Sequence, residues 1–268
     1  MLDDLDRRLA AVQRLDAPAE AVYGVSSGPG SRLLKGVAGG IFHCPVCGGR
    51  YRRFLPFGLD GRRNARCPGC GSLERHRFLW LWLRDEYRLL RRRLRVLHVA
   101  PEPCIRDALA ANTALRYESV DMFDPAADRA ADLTALPFAS NEFEVAICSH
   151  VLEHVTDDGA AMAELHRVLT PGGRAAVMVP IDMKRARTYE DPAIDTAAGR
   201  NEAFGHPYHV RICGADYPDR LRRAGFVADT VSSNILSRHR RRLWRINRTV
   251  LFDCRKPANG ARNENGPA

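Results

Sequence analysis

Between Arg95 and Cys254 the chain alternates short apolar runs with helical segments, and that order leaves few folds open. Val96 to Val99, Tyr117 to Val120, Glu144 to Cys148 and Ala175 to Val179 read as strands, while residues 103–112 and 157–169 read as helices between them. Such repetition predicts an α/β domain, a parallel sheet covered by helices. Phe226 to Val231 and Thr249 to Cys254 add two strands, separated by an arginine-rich loop. With 268 residues, 45% of them hydrophobic, the chain can bury one large domain with a small appendage. No run approaches the ~18 apolar residues that span a bilayer, and Met1 to Arg8 has no apolar stretch behind a basic start. The expectation is a soluble, cytoplasmic protein with no membrane partner.

The appendage announces itself through cysteine. Four of the eight cysteines stand in two C-x2-C units, Cys44/Cys47 and Cys67/Cys70, with 19 residues between them, each followed by glycine. This is ribbon-type zinc spacing: each unit makes a tight turn that aims two thiolates at one point, and the following glycine supplies the positive φ such a turn needs. Four thiolates close a tetrahedron and leave no position for water, so the ion is expected to be structural Zn2+. Around this module the chain divides into a helix and flexible linker (1–40), the ribbon (41–72), a connecting helix (73–94) capped by Ser72 and running to about Arg93, a main domain (95–256) and a disordered tail (257–268).

In the main domain, Ala100, Glu102 and Cys104 follow the first strand where a nucleotide-binding loop usually carries glycines. Asp121 ends the second strand about 20 residues on, where a carboxylate can accept hydrogen bonds from both ribose hydroxyls. Then come Leu136-Pro-Phe138, the block Phe143-Glu-Val-Ala-Ile-Cys-Ser-His-Val-Leu-Glu-His-Val155 and Arg167-Val-Leu-Thr-Pro-Gly-Gly173. With these motifs residues 95 to about 255 resemble the class I S-adenosylmethionine-dependent methyltransferases. Together with the cysteine pairs, Ser72-Leu-Glu-Arg-His-Arg77 and His206-Pro-Tyr-His-Val-Arg211, the chain looks like a bacterial subgroup bearing an N-terminal zinc ribbon. The resemblance implies a Rossmann-like seven-stranded sheet whose last strand is antiparallel, with S-adenosylmethionine as cofactor. It also implies that Asp121 with Met122 meets the ribose, Asp132 and Leu133 the adenine, and the turn Ala100, Pro101, Glu102 the methionine end, with Ser149 nearby. Glu102 is expected to meet the methionine ammonium where relatives offer glycine backbone.

Methyl transfer from a sulfonium is an in-line displacement, and an alcohol or protonated amine acceptor also needs a base. The loop after the fifth strand gathers His206, Tyr208, His209 and Arg211. His209 is the first candidate base, Arg211 the anchor for an anionic group, and His206 and Tyr208 substrate contacts, against a purely structural role for the loop histidines. His150, at the end of the fourth strand, is the second candidate base. Glu153 and His154 are expected to open, cap or pack the next helix. The acceptor expected is a small polar or anionic metabolite, methylated at O or N. An RNA base, with the ribbon docking the RNA, and a non-catalytic S-adenosylmethionine-binding scaffold are the alternatives.

Charge sharpens the acceptor argument. The net +9 is unevenly spread: residues 96–237 hold 21 acidic and 13 basic residues, whereas residues 238–248 hold six arginines and no acid. The basic loop is expected at the substrate rim, as an anion-attracting element or a solvated mobile loop.

Overall fold

In the computed structural model, residues 38–58 and 61–258 are described. The helix expected near residues 2–15, the linker up to residue 37 and the tail from residue 259 lie outside the described residues. The ribbon is built from two antiparallel pairs, β1 (Ala38–His43) with β2 (Arg50–Tyr51) and β3 (Leu55–Phe57) with β4 (Arg62–Arg66). Its own core is small, Cys44, Tyr51, Phe54 and Cys67, with Phe42, Val46 and Cys70 packed against it.

Helix α1 (Glu74–Asp85) joins ribbon to sheet, and Phe78 to Leu81 with Leu83 are all buried. It ends well before Arg93, the first departure from the sequence reading. Buried Tyr87 donates its hydroxyl to Asp253 Oδ1 at 2.8 Å and lies under the Arg174 guanidinium, 4.1 Å from its ring centre. To reach that seat the chain turns through Arg88 at φ +53, and a 3-10 turn then buries Leu89. Nor is Ser72 the helix cap; Leu73 holds that position.

The main sheet contains β5 (Arg95–Val99), β6 (Arg116–Asp121), β7 (Arg129–Ala130), β8 (Phe143–Ser149), β9 (Leu169–Met178), β12 (Val227–Ser232) and β13 (Val250–Arg255). A short pair, β10 (Tyr189–Glu190) and β11 (Arg211–Ile212), lies apart from it. Strand order is β12-β13-β9-β8-β5-β6-β7, seven strands, with β13 antiparallel to both neighbours and β5 to β9 parallel. This is the sheet expected from the sequence. Alternate residues feed opposite faces, as a strand's period of two requires: Val145, Ile147, Ala176 and Met178 join the core under α1 and α2 (Pro103–Ala110), whereas Ala146, Cys148, Ala175 and Val177 join the core under α3 (Asp158–Val168) and α5 (Tyr217–Arg223).

Helix α4 (Ala197–Phe204) lies in the insert after β9. Because β12 runs parallel to β9, its end and residues 233–249 lie on the sheet edge where β5, β6 and β8 also end. The arginine-rich stretch there forms a short helix, α6 (Arg238–Leu243), N-capped by Ser237, rather than an open loop. It packs on β1 of the ribbon, and Arg245 lies over Phe42 at 4.8 Å. The arginine-rich stretch and the cysteine ribbon are therefore neighbours.

Candidate functional site at the carboxyl ends of the strands

In open α/β sheets ligands bind beyond the carboxyl ends of the strands. Here two adjacent parallel strands end on non-glycine residues in the left-handed region, Ala100 after β5 (φ +46) and His150 after β8 (φ +57). Each such residue costs about 1 kcal/mol or more, and conformations of this kind cluster where ligands are held. Both turns are pinned by backbone bonds, Ala100 N–H to Val120 O and His150 N–H to Met178 O, each 2.8 Å. The sequence placed Ala100 where a glycine is usual, and the backbone there has glycine's conformation.

Glu102 is the N-cap of α2 but its side chain does not cap the helix. Its carboxylate turns inward between two histidines, with Oε2 3.3 Å from His98 Nε2 and Oε1 3.5 Å from His76 Nε2. His76 Nδ1 accepts from Leu73 N–H at 3.2 Å, so the neutral ring carries its proton on Nε2, near Glu102 but without a hydrogen bond to it. Burial pushes His76 down to about 3, which keeps it neutral. Burial pushes Glu102 the other way, but the His76 and His98 imidazoles beside it outweigh burial and hold the carboxyl below the usual range. Glu102 Oε1, His76 Nε2 and Ser149 Oγ are buried and lack a hydrogen-bond partner among the described residues. An anionic oxygen left without a donor, beside a second orphaned oxygen, suits a compact cation with several N–H groups, such as an amino-acid ammonium.

Along the same edge Asp121 ends β6, its Oδ1 accepting from Phe123 N–H (2.6 Å) and Asp124 N–H (2.8 Å). Beside it Met122 and Phe123 are 48% and 44% exposed, an apolar surface of the kind a flat base covers. Asp132 holds the next turn through Thr134 N–H and Oγ1, both 2.8 Å, and Leu133 is buried. The residues expected around S-adenosylmethionine thus lie along one edge, and the unpartnered atoms fit its methionine end.

The residues expected to meet an acceptor lie on the turn after β8 and the loop 205–210. Glu153 and His154 do not open a helix: they lie in the turn 151–157, and α3 starts at Asp158 behind the Asp157 cap. Glu153 is 1% exposed, its Oε1 3.2 Å from His150 Nδ1 and 4.0 Å from His154 Nε2, and its Oε2 has no partner among the described residues. Burial raises the Glu153 pKa, but the hydrogen bond from His150 and the nearby His150 and His154 rings lower it further than burial lifts it. The loop docks through Val210 N–H to Glu153 O (2.9 Å), bringing His206 and His209 onto His154 at ring separations of 5.7 and 4.8 Å. Tyr208 lies beside His206, ring to ring at 5.6 Å.

Two expectations change here. Burial, with His154 adding to it, pushes His209 down to about 4, so it is neutral at pH 7 but a feeble base. Arg211, expected to anchor an anionic group, is instead turned into the protein. It is 2% exposed, donates to the carbonyls of Leu152 (2.5 Å), Val155 (2.6 Å) and Thr156 (2.9 Å), and pairs with Glu190 at 2.9 Å. Its donors are consumed in holding the turn that presents His150 and His154. His76, His98 and Glu153 were missed as site residues; the signal for His98 was a histidine inside an otherwise apolar strand.

At the ribbon, one ligand atom from each of Cys44, Cys47, Cys67 and Cys70 lies within 4.8 Å of the others. Sulfur pairs measure 3.6 Å (Cys44–Cys70) and 3.8 Å (Cys47–Cys67), against about 3.8 Å for the edge of a tetrahedron with ~2.3 Å zinc–sulfur bonds. Gly48 and Gly71, each following the second cysteine of a pair, both have φ +72 as expected. Ser72 Oγ lies 3.2 Å from Cys44 Sγ and 3.3 Å from Cys70 Sγ, a hydroxyl supporting the sulfurs instead of a helix cap. Hydrogen bonding with Cys44 first, then with Cys67 and Cys70, pulls the Cys47 thiol far down, while bonding with Cys44 and Cys47 pushes Cys70 far up. Four such sulfurs cannot all ionise together without a cation among them, and the donor set, spacing and support fit Zn2+.

Residues 89–177 match the methyltransferase-domain family profile. Over 103 residues the chain is 48% identical to the uncharacterized YafE protein of Escherichia coli, covering 38% of this chain and 47% of YafE. Over 48 residues it is 44% identical to a 2-phytyl-1,4-naphtoquinone methyltransferase of Nostoc punctiforme, covering 18% of this chain and 21% of that enzyme. The chain therefore spans less than half the length of these relatives. Among solved structures it is similar to a Burkholderia thailandensis 1,6-didemethyltoxoflavin-N1-methyltransferase bound to S-adenosylhomocysteine, at a TM-score of 0.45 and 17% identity over 68% of this chain and 87% of that one. Similarity also extends to the [4+2]-cyclase SpnF, at a TM-score of 0.48 and 18% identity over 77% and 87% of the two chains. Among the described residues no helix is long and apolar enough to cross a membrane.

Proposed function

On the premise that residues 89–177 form a class I methyltransferase domain, we propose that the chain transfers the methyl group of S-adenosylmethionine to O or N of a small polar or anionic metabolite. The observation that carries this reading is the pairing, on adjacent strand ends, of a cation-seeking pocket at Glu102 with a histidine–carboxylate dyad at His150. The cofactor supplies a sulfonium methyl group. Glu102 receives the methionine ammonium, Ser149 assists it, Asp121 accepts from the ribose hydroxyls, and Met122, Asp132 and Leu133 border the adenine.

His150 rather than His209 serves as base. Its Nδ1–H donates to the buried Glu153 carboxylate, which fixes the tautomer and leaves Nε2 to take the acceptor's proton. His209, His206 and Tyr208 line the acceptor side, and Arg211 positions the turn from beneath. The four-cysteine ribbon (41–72) holds Zn2+ as a structural ion and, with α1 (Glu74–Asp85), braces the pocket through His76.

Calorimetry with S-adenosylmethionine tests the cofactor half. The wild-type chain is expected to bind, and Glu102→Gln to weaken binding about 10- to 100-fold, as loss of a charged hydrogen bond does. Absence of binding would leave a non-catalytic scaffold. With an acceptor identified by labelled methyl transfer into metabolite fractions, His150→Ala is expected to lower kcat about 10^2- to 10^4-fold while S-adenosylmethionine affinity stays unchanged. One observation favours a second reading, an RNA acceptor: α6, with exposed Arg240 and Arg242, packs on β1 of a ribbon that itself exposes Arg50, Arg52, Arg53 and Arg63. RNA binding with a steep salt dependence, lost on neutralising those arginines, selects that reading.

A further inference from the structure

We propose that His154, His206 and His209 form a second metal site, taking a divalent transition-metal ion of the Zn2+, Co2+ or Ni2+ class, distinct from the four-cysteine ribbon. One ligand nitrogen from each of the three lies within 4.8 Å of the others. The three rings are mutually adjacent, with centroid separations of 4.5, 4.8 and 5.7 Å. Imidazole is the ligand that suits these ions, whereas Mg2+ and Ca2+ prefer oxygen.

The surroundings point the same way. His154 Nδ1 faces the Tyr208 carbonyl at 3.1 Å, and a carbonyl only accepts, so the proton sits on Nδ1 and the Nε2 lone pair is left for an ion. A ring nitrogen tied to a backbone carbonyl is the usual partner arrangement of a metal-bound histidine. Tyr208 N–H to His206 Nδ1 is long, 3.3 Å, and is the bond that ligation through that nitrogen displaces. Beneath the cluster lies Glu153, 1% exposed, with Oε2 unpartnered and Oε1 4.0 Å from His154 Nε2. A buried carboxylate with an orphaned oxygen calls for positive charge, and an ion on the three imidazoles supplies it.

The loop is shaped for this. Gly205 at φ +75 ends α4 and reverses the chain, and His209 N–H bonds back to His206 O at 3.3 Å, which puts both histidines on the same side of one tight turn. Three protein ligands leave positions open, on the acceptor side, for a carboxylate, phosphate or pair of hydroxyls. Metal binding itself does not depend on methyl transfer; only that choice of acceptor rests on the proposed function.

The test uses the full chain loaded with Co2+, desalted, and read by metal content and absorption. Two ions per chain are expected, one with intense thiolate-to-cobalt charge transfer from the ribbon and one with weaker visible bands alone. In a His206→Ala/His209→Ala double variant the second ion should be lost while the thiolate bands remain, and Mg2+ should not replace it. One ion per chain in the wild type, carrying thiolate bands, overturns the site; so does a double variant that keeps both ions. Were the ribbon reading the one at fault, thiolate bands would be missing and the histidine-dependent ion would persist. A second ion that dissociates on desalting also counts against the proposal.

Discussion

Arg77 and Arg211 are the two buried arginines among the described residues, 0% and 2% exposed, and they solve the same problem differently. Each fork is spread over backbone carbonyls. Arg77 donates to Ser72 O, Ala65 O (3.0 Å), Trp244 O (2.8 Å) and Arg245 O (2.5 Å), tying ribbon, α1 and the basic element together. Arg211 ties the turn 151–157, and in addition meets two carboxylates, Glu190 at 2.9 Å and Asp158 at 3.7 Å. Among the described residues no carboxylate lies within ion-pair distance of Arg77. What it faces is the Phe54 ring at 4.7 Å and the field of Cys44, Glu74, Cys67 and Cys70, which opposes the lowering of its pKa by burial. The Arg211 turn therefore carries its own counter-charge, whereas the ribbon junction has only the field of Glu74 and the cysteine sulfurs to oppose burial. A tetrathiolate around Zn2+ would have a net charge of −2, and on the proposed zinc reading that charge would balance a lone buried guanidinium there.

Metal removal is the hardest blow to this comparison. Structural zinc contributes on the order of 10 kcal/mol to the folding of small modules, so chelation should unfold the ribbon and release Arg77. Hydrogen exchange should then rise across β1 to β4 and the start of α1, while β8 and the Arg211 turn stay protected. Equal exchange in both regions would erase the distinction.

Next in size are the arginines themselves. Arg77→Met and Arg211→Met should each cost about 3–5 kcal/mol in denaturant unfolding, the range for breaking a buried charged network. They should part on a second readout: Arg77→Met is expected to speed zinc loss to a chelator, and Arg211→Met to leave it unchanged. If Arg211→Met sheds zinc as fast, the two regions are not independent.

About a kcal/mol is at stake in the Phe54 face. Phe54→Leu keeps an apolar plug but removes the π surface under the guanidinium, and a double-mutant cycle with Arg77→Met should give a coupling of about 1–2 kcal/mol for this desolvated cation–π pair. A coupling near zero would mean that the carbonyls and sulfurs alone hold Arg77.

The sheet was legible because periodicity and strand–helix alternation are local signals, and the paired-cysteine knuckles because spacing and glycine are too. Arg77 was not. It sits in Ser72-Leu-Glu-Arg-His-Arg77 like any helix arginine, yet two of its carbonyl partners are 167 and 168 residues away, a distance no local pattern spans. Ser72 misled for a related reason: serine before a helix is a cap by habit, and here a nearer demand, the sulfurs of Cys44 and Cys70, took the hydroxyl. Arg211 looked like an anchor because arginine in a polar loop suits an anion. Three carbonyls of one turn claimed it first, and only tertiary structure brings them together.

The smallest expected effect is Glu190→Gln, and it probes the redundancy on the Arg211 side. Glu190 is 40% exposed and shares Arg211 with Asp158 and the three carbonyls, so solvent screening should keep the cost near or below 1 kcal/mol at pH 7. Its pH dependence has a definite sign. Burial raises the Glu190 pKa, but hydrogen bonds from Arg211 and Arg220 bring it below the ordinary 4.5. A depressed carboxyl contributes stability that is fully present above about 4.5 and is lost as pH falls through the lower folded value. Wild type and Glu190→Gln should therefore differ at neutral pH and converge in acid. A gap that widens below pH 4 would mean that Glu190 is protonated more readily in the fold than outside it, and that Arg211 is not its partner in solution.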